Sequence, residues 1–289
     1  STLLAEISRL DWPLLWFNAV PIQSPRWQAM LRALSEAGLG YAERPRFRIG
    51  TVEIENQLAS EWSRYESAWS GNHRRHMRKA LRRAEQDSAV ELDIRRPNAA
   101  EEVEGLLHEG FEVEHRSWKG QGGTSVLASP EKWNFFLEEA KQLARHNHLM
   151  LVFLRRQGQA IAFEYGWWAR GIYYTPKVGY DSAFSQLSPG QLLRYLLIKQ
   201  FFEAQNCSSV DFLGPLAEAT AKWSTHTYPI SKLIVETGSF QGRALLSLYN
   251  CAANIKRKLR PGDHAANRMK IIDVERSSTH ALPDPLVEA

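Results

Sequence analysis

The sequence predicts a mixed α+β fold, a mixed β-sheet flanked by helices, and three observations carry that reading. Apolar residues at helical spacing recur between strand-like stretches. Three closely spaced strand segments, 149–155, 159–168 and 171–179, are joined by RQGQ and ARG turns into a β-meander. A long apolar helix over 191–204 then leads to a parallel-looking strand at 209–213.

Ahead of the meander, residues 25–37 place Trp27, Met30, Leu31 and Leu34 on one helical face, with Gly38 as a stop. A strand follows over roughly 46–54. A second helix opens near Ser60 with Trp62, Tyr65 and Trp69, breaks at Ser70–Gly71 and resumes over 72–86, with Asn72 as its expected N-cap. Residues 90–94 alternate like a short half-buried strand, and Pro97-Asn98 ends it. Helical spacing returns over 99–118 through Val103, Leu106, Leu107 and Phe111, and closes in the glycine-rich GQGGT, read as a mobile loop. Another helix covers 130–146, with Trp133, Phe136, Leu137, Ala140 and Leu143 along one face. Beyond the apolar helix a last strand spans 229–235, and the chain from 252 reads as a basic, Pro- and Ala-rich solvated tail. No internal repeat is present.

At 289 residues the chain can bury one large core or two smaller ones, which excludes disordered, collagenous and mini-protein classes. The net charge of +4 is too small for a nucleic-acid coat and favours a local acidic or phosphorylated ligand. Two cysteines without a spaced partner exclude a zinc motif and a disulfide framework, so no metal is expected and a reducing, cytoplasmic setting is. Glu6 ahead of the apolar residues, with no cationic leader, argues against a signal peptide, and no run of ~20 apolar residues spans a membrane. The missing initiator Met predicts a trimmed or processed chain.

Four constellations can carry chemistry. In 72–86, Met77, Ala80, Leu81 and Ala84 face inward while six cations, among them Arg75, Arg78 and Lys79, fill ten residues without an acid. Such rows are either a solvated face or the seat of a phosphate-bearing ligand. Nothing around them resembles a helix-turn-helix or zinc finger, so DNA is not the expected partner. Trp118 and Lys119, ahead of GQGGT, offer an apolar wall and a cation to a ligand, or form an ordinary turn. The run from Tyr173 through Thr175, Lys177, Tyr180 and Asp181 leads into Ser188-Pro189-Gly190-Gln191-Leu192, where a helix start exposes backbone N–H groups to an anion. Ser188 fits an N-cap there, with Pro189 at N1. Asp211, beside Gly214-Pro215, and Lys222-Trp223 a short loop later form the fourth; Asp211 is either a ligand or a tie for its loop.

Together HRRHMRKALRRAE, RSWKGQGGTS, YYTPKVGYDSAFSQLSPGQLL and VDFLGP with KW downstream resemble the GNAT-like acyltransferases of the CelD type, relatives of the FemAB peptidoglycan aminoacyltransferases. The resemblance covers about residues 50–235, in order, and is densest from Arg116 to Trp223. It implies tandem GNAT-like units: an incomplete one over 1–95 holding the basic helix, a more complete one over 96–250, and the tail over 251–289. It also implies acyl transfer from a thioester, acyl-CoA or acetyl-CoA, to an amine or hydroxyl of an envelope sugar, a peptide or a small molecule. The setting would be the cytoplasm or the inner membrane face. In FemAB relatives the donor is an aminoacyl-tRNA, and a non-catalytic scaffold binding an anionic ligand is the third reading. By resemblance the turn at Ser188, Pro189 and Gly190 receives the CoA pyrophosphate, although of the usual spaced glycines only Gly190 is in place. Lys177, Tyr180, Asp181, Asp211, Lys222 and Trp223 match recurring positions.

Direct transfer needs a base, an oxyanion site and an acid for the thiolate. Glu164, alone among apolar neighbours in IAFEYGWW, is the expected base, its carboxyl raised by desolvation, and Tyr174 or Tyr180 the expected acid, with Asp181 beside them.

Overall fold

The computed structural model describes residues 6, 7, 9, 11–54, 62–87 and 90–259, and the chain gathers into two compact units. The first holds the described residues up to Gly50, Pro215–Ala221, and those from His226 onward. Its elements are β1 (Leu14–Val20), α1 (Pro25–Glu36), most of β2 (Tyr41–Glu53), a short helix at Glu218–Ala221, and the final pair His226–Glu236 and Phe240–Leu259. The strand at His226–Glu236 lies between β1 and β2, antiparallel to β1 with Phe17 opposite Leu233. Leu31 and Leu34 of α1 pack on Val20, Ile22, Leu233 and Val235. From the final helix Leu246 packs on Ala42 and Ile234, so the stretch to Leu259 continues as helix where a tail from 252 was expected.

The second unit contains Thr51–Gly214 and Lys222–Thr225. After Thr51–Glu53 of β2 come α2 (Trp62–Ala68), α3 (Gly71–Asp87), β3 (Val90–Arg95), α4 (Ala100–His115), α5 (Trp118–Gln121) and α6 (Pro130–Arg145). The meander follows as β4 (Leu149–Arg156), β5 (Gln159–Ala169) and β6 (Ile172–Tyr180), then α7 (Pro189–Ala204) and β7 (Ser209–Asp211). In chain order the three remaining elements of the first unit are α8 (Glu218–Ala221), β8 (His226–Glu236) and α9 (Phe240–Leu259). Strands β3 to β6 pair antiparallel in sequence order, β6 pairs parallel with β7, and β7 pairs antiparallel with the end of β2. Residues 71–95, expected in a separate N-terminal unit, are therefore built into this sheet and its flank: β3 runs against β4 from Val90↔Arg156 to Arg95↔Leu151.

The apolar run LMLVFL of β4 follows from burial on both faces. Leu149, Leu151 and Phe153 meet Val103, Leu107 and Phe111 of α4 and Leu137 and Ala140 of α6. Met150, Val152 and Leu154 meet Met77, Ala80 and Ala84 of α3 and Leu192, Leu193, Leu197 and Ile198 of α7. Each fully buried side chain of this kind stabilises by roughly 1.5–3 kcal/mol relative to exposure. Trp62, Trp69 and Trp133 belong to these cores, as their helical spacing requires.

Two local expectations change. Helix α3 starts one turn's edge earlier than Asn72: the Ser70 hydroxyl accepts the His73 N–H and the Ser70 carbonyl accepts the Arg74 N–H, leaving Asn72 exposed inside the helix. The GQGGT stretch is a hydrogen-bonded turn, because the Lys119 carbonyl accepts from both Thr124 and Ser125 N–H. Gly120 is required there, since a Cβ would collide with the His115 carbonyl. Within unit two, TM-length apolar helices are absent, and no helix among the described residues is long and apolar enough to cross a membrane.

Candidate active site

The ladder between β6 and β7 is three residues long, Ile172↔Ser209, Tyr173↔Val210 and Tyr174↔Asp211, and β6 runs six residues further without β7 beside it. The two parallel strands part at Tyr174 and Asp211. Pro176 interrupts β6 here, because it has no N–H to give, and the β5 register slips by one between Tyr165↔Lys177 and Trp167↔Tyr174. Thr175, the first residue past the last β7 pair, is buried with its hydroxyl lacking any hydrogen-bond partner among the described residues. A Pro inside a strand is the one sequence signal that marks this bulge.

The Asp181 N–H donates to the Ile161 carbonyl, so the antiparallel alternation turns the Val178 N–H and C=O away from β5, toward the edge that β7 has left. Lys119 reaches that edge and its ammonium donates to the Val178 carbonyl at 2.9 Å. It also donates to Glu114 Oε1 at 2.9 Å, where Lys177 joins at 3.3 Å, while Glu114 Oε2 accepts the Val126 N–H. Burial pushes the Glu114 carboxyl up, but the Lys119 hydrogen bond and charge, the Val126 N–H and Lys177 together hold it below the ordinary glutamate range. Gly179 permits this contact: a Cβ there would lie 2.7 Å from Glu114 Cα. Lys119 and Lys177, expected to touch substrate and CoA, thus share one buried carboxylate that no sequence pattern flagged. Trp118 stands 60% exposed beside them.

Tyr174 and Asp211 meet at the mouth of the opening. Tyr174 stacks on Trp167 with ring centroids 5.7 Å apart, and burial followed by the Asp211 charge pushes its phenol up, against a smaller lowering by Arg170. Asp211 is buried and its Oδ1 accepts the Leu213 N–H at 2.8 Å, holding a tight turn in which Leu213 has φ +50°. The loop-tying role and proximity to Tyr174 are both present in one side chain.

Glu164 faces the other way. At 1% exposure under α7, its Oε2 accepts from Arg194 Nη2 at 3.3 Å, and Arg194 in turn lies over the Phe212 ring. Buried Tyr173 sits beside this carboxylate without a hydrogen bond of normal geometry; burial first and the Glu164 charge second push its phenol well up. A carboxylate sealed against a guanidinium is in no position to take a proton from an incoming acceptor, so the base expected at Glu164 is instead half of an internal ion pair. Periodicity could not reveal this, because the arginine comes from a helix 30 residues on. Asp181 is likewise structural in its contacts: Oδ2 accepts from Arg116 Nε at 2.6 Å and Oδ1 caps the following 3₁₀ turn through Ala183 N–H. Replacing it, Asp181→Ala, is expected to cost about 1–2 kcal/mol of stability in urea unfolding by loss of that cap. Tyr180 is partly buried and touches the place of Gly190.

At the start of α7, Ser188 occupies the N-cap in a left-handed conformation, φ +54°, with Pro189 at N1, but its hydroxyl makes no capping bond. The Ser188 carbonyl takes the N–H groups of Gln191 and Leu192, and the Leu192 side chain is core. A Cβ on Gly190 would make only ordinary contact, 3.8 Å from Tyr180 and 3.9 Å from Val178. Gln191 Oε1 accepts from Trp223 Nε1 at 3.2 Å, and Trp223 is fully buried against Trp69 and His73. Trp223 is thus a core residue, its carbonyl accepting from Tyr65 at 2.6 Å, and Lys222 beside it lies close enough to His73 and His76 to lower both. On α3, Arg75, Arg78 and Lys79 are exposed. The structure therefore gathers Tyr174, Asp211, Lys177 and Lys119 around the strand opening, and Gln191, Lys222 and Trp223 near the α7 start, while Glu164 lies inside.

The chain is similar to a conserved protein of unknown function from Bacteroides thetaiotaomicron at 13% identity, covering 77% of this chain and 69% of that one, TM-score 0.48. It is similar to L-PGS from Bacillus licheniformis at 13%, covering 81% and 71%, TM-score 0.46, and to FemX at 11%, covering 70% and 67%, TM-score 0.48. Comparison with curated proteins finds no match. The pattern of the acetyltransferase (GNAT) domain matches residues 71–222, from the start of α3 to Lys222 and just over half of the sequence. With its mixed sheet and the parting of β6 and β7 inside that span, the chain belongs to the acetyltransferase (GNAT) domain family and is a transferase enzyme.

Proposed function

We propose that the opening between β6 and β7 receives a thioester donor, acyl-CoA or acetyl-CoA, and that the chain transfers its acyl group to an amine or hydroxyl acceptor. The observation that carries this reading is the end of the β6–β7 ladder at Tyr174↔Asp211. The residues fit such a donor: the Val178 N–H on an unpaired strand edge suits the amides of a pantetheine arm, the orphaned Thr175 hydroxyl lies at the bulge, and Gly190 leaves room at the helix start. Bound there, the thioester supplies a carbonyl open to nucleophilic attack. Asp211 takes the proton of the attacking amine or hydroxyl, and Tyr174, held protonated by its raised pKa, gives one to the leaving sulfur. Lys119 and Lys177 keep that edge cationic, and Trp118 offers an apolar wall to the acceptor. Following the resemblance, the acceptor is an envelope sugar, a polysaccharide precursor, a peptide or a small amine, met in the cytoplasm or at the inner membrane face. The unit that holds Thr51–Gly214 carries the chemistry.

Calorimetric titration with CoA, acetyl-CoA and longer acyl-CoAs tests the reading, repeated on Gly190→Trp. We expect binding by the wild type and its loss in the variant, because an indole fills the space beside Tyr180 and Val178. Absence of binding to every thioester moves the donor to an aminoacyl-tRNA.

A further inference from the structure

Helix α3 concentrates cations that elsewhere in its unit are often paired: Arg155 meets Asp93 and Glu109, Arg116 meets Asp181, Lys119 and Lys177 meet Glu114, and Arg194 meets Glu164. On α3, Arg75, Arg78, Lys79 and Arg82 have no acidic partner among the described residues, and the only acids of the helix, Glu85 and Asp87, are in its last turn. Like charges at i, i+4 repel, so the row gains on meeting an anion.

The inner edge of that row lies against the entrance to α7. Arg83 Nη1 donates to the Gln186 carbonyl at 2.8 Å, two residues before Ser188, and α3 packs on both this turn and α7. Along the same edge Lys79 and His76 lie about one and two turns before Arg83. His76 feels Lys222, Lys79 and Arg83, and buried His73 is held down at about 4, by burial first and Lys222 second. Burial lowers both histidines first and the charges of Lys222, Lys79 and Arg83 add to it, so positive charge gathers along this edge of α3.

We propose that Lys79 and Arg83 of α3, with His76 and Lys222 beside them, form a phosphate site that holds the nucleotide end of the donor through its 3′-phosphate. This rests on the acyl-CoA reading and extends it: the strand edge takes the pantetheine arm, the start of α7 lies between, and the basic edge of α3 reads the terminal phosphate. A ligand of this kind matches the site in sign and in its closeness to the Ser188–Gly190 turn, and charge-assisted hydrogen bonds from lysine and a forked guanidinium suit a phosphate dianion.

Calorimetry on the full chain with CoA, 3′-dephospho-CoA and pantetheine separates the possibilities, at low and moderate salt. We expect CoA to bind about tenfold or more tightly than dephospho-CoA, an advantage that shrinks with salt. Lys79→Gln with Arg83→Gln should bring CoA to the dephospho-CoA affinity and leave pantetheine unchanged, Lys79→Arg should retain the advantage, and Arg145→Gln on α6 should alter nothing. Equal affinities for CoA and dephospho-CoA in the wild type overturn the phosphate site while leaving the acyl-CoA reading standing. Failure to bind CoA or pantetheine at all, with an RNA hairpin captured by the same row, overturns both.

Discussion

Tyr174→Phe is expected to lower kcat by about 10²–10³ while leaving the KM for the thioester within a few-fold, because a general acid acts in the transition state and contributes little to ground-state binding. The measurement is release of free thiol from acetyl-CoA in the presence of a panel of amines. Since burial and Asp211 push the Tyr174 phenol up, the wild-type rate should stay flat through the mildly alkaline range and fall only above the ordinary tyrosine value, where the proton is lost. The Phe variant should lack that alkaline limb. Asp211→Asn keeps the hydrogen bond to Leu213 N–H, through the amide oxygen, and removes the base, so it should lose about 10²–10⁴ in kcat with unchanged unfolding midpoint. An Asn variant of full activity would make Asp211 a loop tie alone.

Glu114→Gln should produce the largest stability loss. It leaves Lys119 and Lys177 without their shared counter-charge beside a packed sheet face, and breaking a buried ion pair from one side costs about 3–5 kcal/mol. Both ammonium groups keep about a quarter of their exposure, so we expect the low end, about 3 kcal/mol, read from urea midpoints. The pH dependence has a definite sign. A carboxyl held below its unfolded value contributes stability that is complete above the ordinary glutamate range and disappears as pH falls from there through the folded value. Wild type and variant should therefore converge in stability on the acid side and differ at neutral pH. A constant gap down to the acid limit would show that packing, not charge, sets the effect. Lys119 also holds the Val178 carbonyl at the edge that β7 leaves.

The legible part of this fold lay in periodic segments. Apolar runs closed by turn signals gave β4, β5 and β6, 3.6-residue spacing gave α1, α4 and α6, and a long apolar run gave α7. Strand β1 carried no periodic signal: LLWFNAV, between Pro13 and Pro21, does not alternate, and it is a strand because β8 offers it an edge. Helix α9 was hidden by its basic end, although Leu246 and Tyr249 pack it on Ala42 and Ile234 and Asn250 accepts from Arg44. Ser188 was correctly set at a helix start, yet the left-handed conformation that frees its hydroxyl has no sequence mark on a non-glycine residue.

The sequence by itself determined the α+β order, the family to which the chain belongs, the strand–turn–helix at Ser188–Gly190, and which helix carries a dense row of positive charge. Only the tertiary structure decided which charges are spent internally. Glu164 and Arg194, Asp181 and Arg116, and Glu114 with its two lysines are brought together from 30, 65, 5 and 63 residues apart, and each pairing converts a candidate reactive group into a support. The same structure put Tyr174 opposite Asp211, from two strands joined by a helix, at the point where their ladder ends. Pairing a charge needs a partner within a few ångströms, and spacing along a chain says nothing about distance across a parallel crossover.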